Sequence, residues 1–261
     1  MAGQFPHNSI MRPLSPLQQA AAVALGCLAV LALPIWQVWR LQPPDFDSFP
    51  AGDARKTAFF SYLGPIVDSE NARWAERRQR LLELKKTTGS WSKVDRVRLN
   101  ELIDLFEPTQ AVNESALIDA LLRHVDTIPR ALVLAQAAKE SAWGTSRFSA
   151  EGNNYFGQRC YAKGCGMVPG ARASGAKFEV RRFESAAASV TSYMNNINGH
   201  REYQELREYR SARRRQNEPF TGIDAAERIT QYSERRQAYV DEIQSLIHFN
   251  NLDTKNPEDR E

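Results

Sequence analysis

The sequence has few of the residues that hold metals. Its 261 residues include three cysteines and four histidines. The histidines of the C-terminal two thirds, His124, His200 and His248, lie far apart and show no paired spacing typical of metal ligands. We therefore expect no metal ion and no organic cofactor.

The sequence also has little net charge. Lys and Arg total 34 against 31 Asp and Glu, which gives +3, too small an excess to predict nucleic-acid binding. One arginine-rich stretch alternates with glutamates at helical spacing, which is typical of a solvated, ion-paired helix face. Its residues are Arg207, Arg210, Arg213, Arg214 and Arg215, with Glu202, Glu205 and Glu208. We expect no nucleic-acid partner.

One long uncharged segment lies near the N-terminus. Residues 17–39 read LQQAAAVALGCLAVLALPIWQVW, and about 20 apolar residues suffice to cross a bilayer as a helix. A cleaved signal peptide is the alternative, but no good A-x-A cleavage site follows the segment. A buried core helix is disfavoured because Pro34 would interrupt it and the segment has no polar face. We therefore predict an uncleaved transmembrane anchor.

The rest of the chain divides by composition. Helical periodicity dominates after residue 54, and residues 150–183 are rich in glycine and polar residues around one alternating stretch, 177–183, that suits a strand. The predicted fold is therefore mainly α (α+β), a helical body with a small β lobe. The predicted divisions are a tail (1–16), the anchor (17–39), a Pro-rich extended linker (40–54), accessory helices (55–107), the main domain (108–250) and a C-terminal tail (251–261).

Two cysteines lie close together in the predicted lobe. Cys160 and Cys165, in RCYAKGCG, are near enough to form a small disulfide loop, which would persist in an oxidising compartment. Free thiols and a metal pair are the alternatives, and a metal would need two further ligands. We favour the disulfide.

One carboxylate stands out on an apolar helix. From Ala131 to Trp143 the segment is almost entirely small and apolar, and Glu140 lies near its C-terminal end. Burial and the negative end of the helix dipole both raise the pKa of a carboxyl group. An acid that stays protonated near neutral pH can protonate the leaving oxygen of a glycosidic bond. The alternative is a solvated glutamate paired with an arginine.

The neighbouring motifs favour the catalytic interpretation. KESAWG followed by NNYFGQ resembles the motif pair of peptidoglycan glucosaminidases of the endo-β-N-acetylglucosaminidase type, glycoside hydrolase family 73. The resemblance continues through CYAKGCGMVP, FEVRRFESAAASVTSYMNNINGHREYQELR and ITQYSERRQAYVDEIQSLI. In this extended form, over roughly residues 110–250, it is similar to the membrane-associated Bax-type members. It implies a lysozyme-like domain that hydrolyses β-1,4 bonds after N-acetylglucosamine in peptidoglycan glycan strands.

The resemblance also implies site residues. Glu140 matches the catalytic acid, and Tyr232 matches the tyrosine that opens a late YATDP-type motif near the acid. This chain has YSERRQAY there, so only Tyr232 is carried over. Asn154, Phe156 and Gly157 match an N-x-F-G turn. We predict substrate binding by that turn and its neighbours, Asn154, Tyr155, Phe156, Gly157 and Gln158.

The family draws a second acid from the β lobe at a variable position. Glu179, on the predicted strand, is the first candidate, ahead of Glu151 and Glu184. The N-acetyl group of the substrate is an alternative nucleophile. With the predicted anchor, the resemblance places the protein in the bacterial inner membrane, single-pass, with its catalytic domain in the periplasm. A lytic transglycosylase and a non-catalytic membrane-tethered scaffold are the competing functions.

Overall fold

The computed structural model describes residues 42–87, 89–108, 111–170, 172 and 175–253. The predicted anchor, residues 17–39, lies outside them, as do the N-terminal tail and residues 254–261 of the C-terminal tail. No helix within the described part of the chain is long and apolar enough to cross a membrane.

The architecture is mainly helical with one small sheet, as predicted. The α-helices are α1 Asp53–Lys86, α2 Lys93–Phe106, α3 Glu114–His124, α4 Arg130–Glu140, α5 Arg147–Gly152, α6 Ala186–Gly199, α7 Gln204–Arg215, α8 Gly222–Ala226 and α9 Gln237–Phe249. Short 3-10 helices occupy Phe46–Ser48, Arg201–Tyr203 and Thr230–Tyr232. The strands are β1 Arg159–Cys160, β2 Gly166–Met167 and β3 Glu179–Arg181.

Helix α4 lies at the centre of the core. All of its residues from Ala131 to Ala138 are buried, and it packs against α1 on one side and against α8 and α9 on another. A helix that is apolar on nearly every face must be surrounded in this way. The C-terminal end of α4, where Glu140 lies, is thereby held by several other elements.

Helix α1 belongs to the same core. Its apolar residues Phe59, Leu63 and Val67 recur every four residues and are fully buried, so one stripe of the helix faces α3, α4 and α6. One compact unit begins at Pro43. The predicted division at residue 107 is therefore not a structural boundary, and α1 is not an accessory element. Sequence periodicity identified the helix but could not indicate what its apolar stripe packs against.

Most of the predicted linker, residues 43–54, belongs to the same compact unit as the helical body. Phe46 is only 3% exposed, and its ring centroid lies 5.6 Å from that of Phe59. A Cβ built on Gly144 would lie 2.2 Å from the Phe46 ring, so the chain before α1 presses directly on the turn that follows α4. Three prolines suggested an extended linker, and the one buried phenylalanine reverses that prediction for residues 43–54.

Helix α7 contains the arginine-rich stretch that was predicted to be a solvated helix face, but its inner arginines are not solvated. Arg207 and Arg210 are buried, and Arg210 donates to the carbonyl oxygens of Arg123, His124 and Thr127. These carbonyls lie at and just beyond the C-terminal end of α3, where the helix dipole favours cations. Asp126 is also buried, and it forms ion pairs with Arg210 and Arg214. The inner arginines of α7 therefore anchor the α3–α4 connection.

The sheet forms the predicted lobe. Strand β3 lies in the middle, antiparallel to β1 and β2, with Val180 opposite Arg159 on one side and Met167 on the other. It is shorter than the predicted stretch 177–183. A disulfide joins Cys160 to Cys165 across the β1–β2 connection. The lobe is thus a small, cross-linked wall beside the helical body.

Candidate active site

Glu140 is the last residue of α4. Burial raises the pKa of its carboxyl group, while the hydroxyl of Tyr239 and the charge of Lys139 act in the opposite direction. The net shift is upward, because desolvation of the carboxylate outweighs these two contacts. Glu140 therefore has the character of an acid that keeps its proton to a higher pH than an exposed glutamate does.

A tight turn follows the acid. Ala142 and Trp143 both adopt left-handed backbone conformations, with φ of 51° and 60°, which non-glycine residues rarely do. The Ser141 hydroxyl supports the turn by donating to the Ala137 carbonyl and accepting from the Gly144 N–H. Trp143 packs edge-on against Phe60 at 5.4 Å between centroids. The turn fixes the direction of the chain directly after Glu140.

Asn154 organises the second predicted motif. Its amide nitrogen donates to the carbonyls of Gln158 and Arg181, and its amide oxygen accepts from the N–H groups of Phe156 and Gln158. The residue is 1% exposed. Asn154 therefore ties the turn to strand β3, and its side chain is not available to a glycan.

The two aromatic residues of this motif are core residues. Tyr155 is 0% exposed and Phe156 is 3% exposed, and the Phe156 ring stacks on Tyr193 with centroids 4.1 Å apart. Both side chains are therefore packed in the core, and substrate binding by this turn stays a prediction. The half-buried amide of Gln158 contacts the Ser192 hydroxyl at 3.0 Å, which also directs it toward the body.

Gly157 is the residue of this turn that lies next to Glu140. It has φ of +65°, and a Cβ built on it would lie 3.7 Å from Oε2 of Glu140. This oxygen therefore faces the backbone of a residue without a side chain. The Gly157 backbone can therefore lie directly beside the carboxyl group.

Tyr232 lies near the acid but does not make the closest tyrosine contact. Its hydroxyl donates to the Phe156 carbonyl at 3.2 Å, and its ring stacks on Tyr239 with centroids 5.4 Å apart. Burial, Tyr239 and Glu140 together raise the pKa of Tyr232. The structure therefore brings Tyr232 to the site as a support for Tyr239 and for the Phe156–Gly157 turn.

Three residues that contact or support Glu140 were missed in the sequence. Tyr239 donates to Oε1 of Glu140 at 2.8 Å, Gln136 donates to the Tyr239 oxygen at 3.0 Å, and Tyr193 donates to the Gln136 amide oxygen at 2.5 Å. Gln136 lies one helical turn before Glu140, which was a usable signal. Tyr239 closes the stretch YSERRQAY, but its altered spacing hid its role.

The carboxylate of Glu179 is held by backbone hydrogen bonds within the β lobe. Its two carboxylate oxygens accept the N–H groups of Gly164 at 3.0 Å and Gly166 at 2.8 Å, and these hydrogen bonds lower its pKa. The residue is 7% exposed. This geometry favours a role in holding the β1–β2 connection over the predicted role as second acid. Glu151 and Glu184, the other candidates, are exposed.

The lobe also contains a group of atoms of metal-binding type. The sulfurs of Cys160 and Cys165 and a carboxylate oxygen of Glu179 lie within 4.8 Å of one another. The two sulfurs are joined in the disulfide, and thiolates rather than disulfides bind metals. The sulfurs therefore serve as a cross-link in this structure.

Comparison with known proteins identifies similar sequences. Residues 116–252 match the profile of the glucosaminidase family, described as mannosyl-glycoprotein endo-beta-N-acetylglucosaminidase. Protein bax of Escherichia coli (strain K12) is 32% identical over 208 residues, which is 79% of this chain and 74% of the relative. No solved structure matches the chain significantly.

Proposed function

The chain belongs to the glucosaminidase family, and we propose that it is a peptidoglycan hydrolase with Glu140 as its general acid. Family membership supports a glycoside hydrolase that acts on glycans. The finer proposal is cleavage of the β-1,4 bond after N-acetylglucosamine in cell-wall glycan. We also propose that the helical body and the lobe form a lysozyme-like groove.

The environment of Glu140 is the observation that supports this proposal. Its pKa is raised by burial, one of its oxygens is held by Tyr239, and the other faces the side-chain-free Gly157. A glycosidic oxygen is a poor leaving group until it receives a proton. A carboxylic acid that keeps its proton near neutral pH can supply that proton.

The reaction proceeds by proton transfer and attack at the anomeric carbon. Glu140 gives its proton to the bridging oxygen as the bond to the anomeric carbon breaks, and an oxocarbenium-like centre develops. Because the oxygens of Glu179 are engaged by Gly164 and Gly166, we assign it no part in this step. Water, or first the acetamido oxygen of the substrate and then water, would attack the anomeric carbon. The proton that the water releases returns to the Glu140 carboxylate, which restores the acid.

We propose the bacterial inner membrane as the location, with residues 17–39 as a single-pass anchor and the catalytic unit in the periplasm. The uncharged composition of residues 17–39 supports the anchor. The disulfide between Cys160 and Cys165 supports an oxidising compartment, because such bonds are rare where thiols are kept reduced.

The test is digestion of purified peptidoglycan by the full-length protein in detergent, followed by mass spectrometry of the released fragments. Fragments with N-acetylglucosamine at the reducing end support the proposal. Anhydromuramyl ends would indicate a lytic transglycosylase instead. No release of fragments, together with retained binding to the polymer, would indicate a tethered scaffold.

A further inference from the structure

The hydrogen bonds around Glu140 form a directed chain. Tyr193, Gln136 and Tyr239 come from α6, α4 and α9, and each is at most 2% exposed. They link in the order Tyr193 hydroxyl, Gln136 amide, Tyr239 hydroxyl and Glu140 carboxyl, with donor–acceptor distances of 2.5, 3.0 and 2.8 Å. We define these three residues as the relay. Because they are buried, water does not compete for these hydrogen bonds.

The chemistry of the amide sets the direction of the relay. An amide nitrogen only donates and an amide oxygen only accepts. The Tyr239 oxygen therefore accepts from Gln136, and the single proton of Tyr239 is left for Oε1 of Glu140. At the other end, the Tyr193 hydroxyl must donate to the Gln136 oxygen. This contact fixes the amide, because rotating it would leave the buried Tyr193 proton without an acceptor and would draw the Tyr239 proton away from Oε1 of Glu140.

We propose that Gln136 and Tyr193 are positioning residues, which act through Tyr239 to keep the transferable proton of Glu140 on Oε2. Oε1 accepts the Tyr239 proton, so the proton of the neutral acid resides on the other oxygen. That oxygen is the one that faces Gly157. The relay thus directs the proton of the acid toward the Gly157 side of the carboxyl group, and this inference rests on the proposed function.

The titratable groups that face Glu140 come from several elements. They are Lys139 on α4, Tyr239 on α9, Tyr193 on α6 and Tyr232 in the Thr230–Tyr232 3-10 helix. Burial raises the pKa of Tyr193, Tyr232 and Tyr239 above the usual value of 10. All three hydroxyls therefore stay neutral donors while Glu140 titrates, and the relay keeps its direction.

Tyr193→Phe is the decisive variant. It keeps the ring that stacks on Phe156 and removes only the hydroxyl that fixes Gln136. The amide is then free to turn its oxygen toward Tyr239, which redirects the Tyr239 proton away from Glu140. Since the Tyr239 hydrogen bond lowers the pKa of Glu140, its loss should raise that pKa.

Two measurements follow in full-length protein. The carboxyl ¹³C signal of Glu140, titrated by NMR, should move to a higher pKa in Tyr193→Phe. On peptidoglycan, kcat should fall about tenfold with KM unchanged, because Tyr193 is 1% exposed and cannot touch the glycan. The alkaline limb of the kcat/KM profile should shift to higher pH.

Tyr62→Phe is the matched control, since it removes a hydroxyl that is hydrogen-bonded to Tyr155 outside the relay. It should leave the Glu140 titration and kcat unchanged. An unchanged Glu140 titration in a folded Tyr193→Phe protein would overturn the inference, whether or not the protein cleaves peptidoglycan. A wild-type protein that shows the titration shift on mutation but releases no fragments would instead overturn the proposed function.

Discussion

Replacing Glu140 with glutamine separates the chemistry of the acid from its structural role. Glutamine has nearly the same size and keeps an oxygen that can accept the Tyr239 hydroxyl, which lies 2.8 Å from Oε1 of Glu140. It has no proton to give to a glycosidic oxygen. General acid catalysis contributes about 10²- to 10⁴-fold to rate, equal to roughly 3–5 kcal/mol of transition-state stabilisation. We expect kcat to fall by at least this factor, with little change in KM.

The stability of the same variant should depend on pH in a defined sense. Burial raises the pKa of Glu140 above 4.5 in the folded protein, so ionisation is harder there than in the unfolded chain. The stability that the neutral acid contributes is fully present below the unfolded pKa and is lost as pH rises through the folded pKa. Glutamine has no such loss. The melting temperature of Glu140→Gln relative to wild type should therefore rise as the pH increases from the ordinary value of 4.5 through the raised pKa of folded Glu140.

The assay combines release of reducing ends from purified peptidoglycan with thermal unfolding across that pH range. Glu101→Gln, an exposed glutamate of α2, is the matched control and should change neither activity nor the pH dependence of stability. Activity of Glu140→Gln above about one tenth of wild type would refute the assignment of the acid. A stability difference that declines with rising pH would refute the desolvation argument.

Three further substitutions test the supporting structure. Gly144→Ala should lower the free energy of unfolding by about 1–3 kcal/mol in urea titrations, because the added Cβ would overlap the Phe46 ring. An unchanged urea midpoint would contradict the packing of the segment before α1. Arg210→Met should cost about 1–3 kcal/mol by the same assay, because the carbonyl oxygens of Arg123, His124 and Thr127 lose its hydrogen bonds. An unchanged midpoint would contradict the anchoring role of Arg210. Glu179→Gln should retain more than about a tenth of wild-type kcat while lowering the melting temperature by about a few degrees. A fall in kcat as large as that of Glu140→Gln would restore Glu179 as the second acid.

The sequence predicted those features that depend on local pattern. Helical periodicity located α4, and the apolar composition of that helix predicted that its acid is desolvated. The six-residue span from Cys160 to Cys165 predicted the cross-link that the structure contains. The mainly helical fold with a small lobe also followed from composition, since helical runs and a glycine-rich segment are separable by pattern alone.

Features that depend on contacts between distant segments were missed. The NNYFGQ stretch resembles a family motif, but only the fold reveals that Asn154 and Phe156 face inward while Gly157 faces the acid. Glu179 lies on the predicted strand, yet its N–H partners come from a turn more than ten residues earlier. The contact between Tyr239 and Glu140 joins residues 99 positions apart. No local spacing encodes a pairing of this kind.

The most direct test of the account is the titration of Glu140 itself. Carboxyl ¹³C NMR of the wild-type protein, with Glu140→Gln used to assign the signal, measures the pKa of this group without any assumption about substrate. We predict a midpoint above the ordinary value of 4.5, because burial outweighs the Tyr239 and Lys139 contacts. A midpoint at or below 4.5 would contradict the claim that buried surroundings keep the proton on this acid.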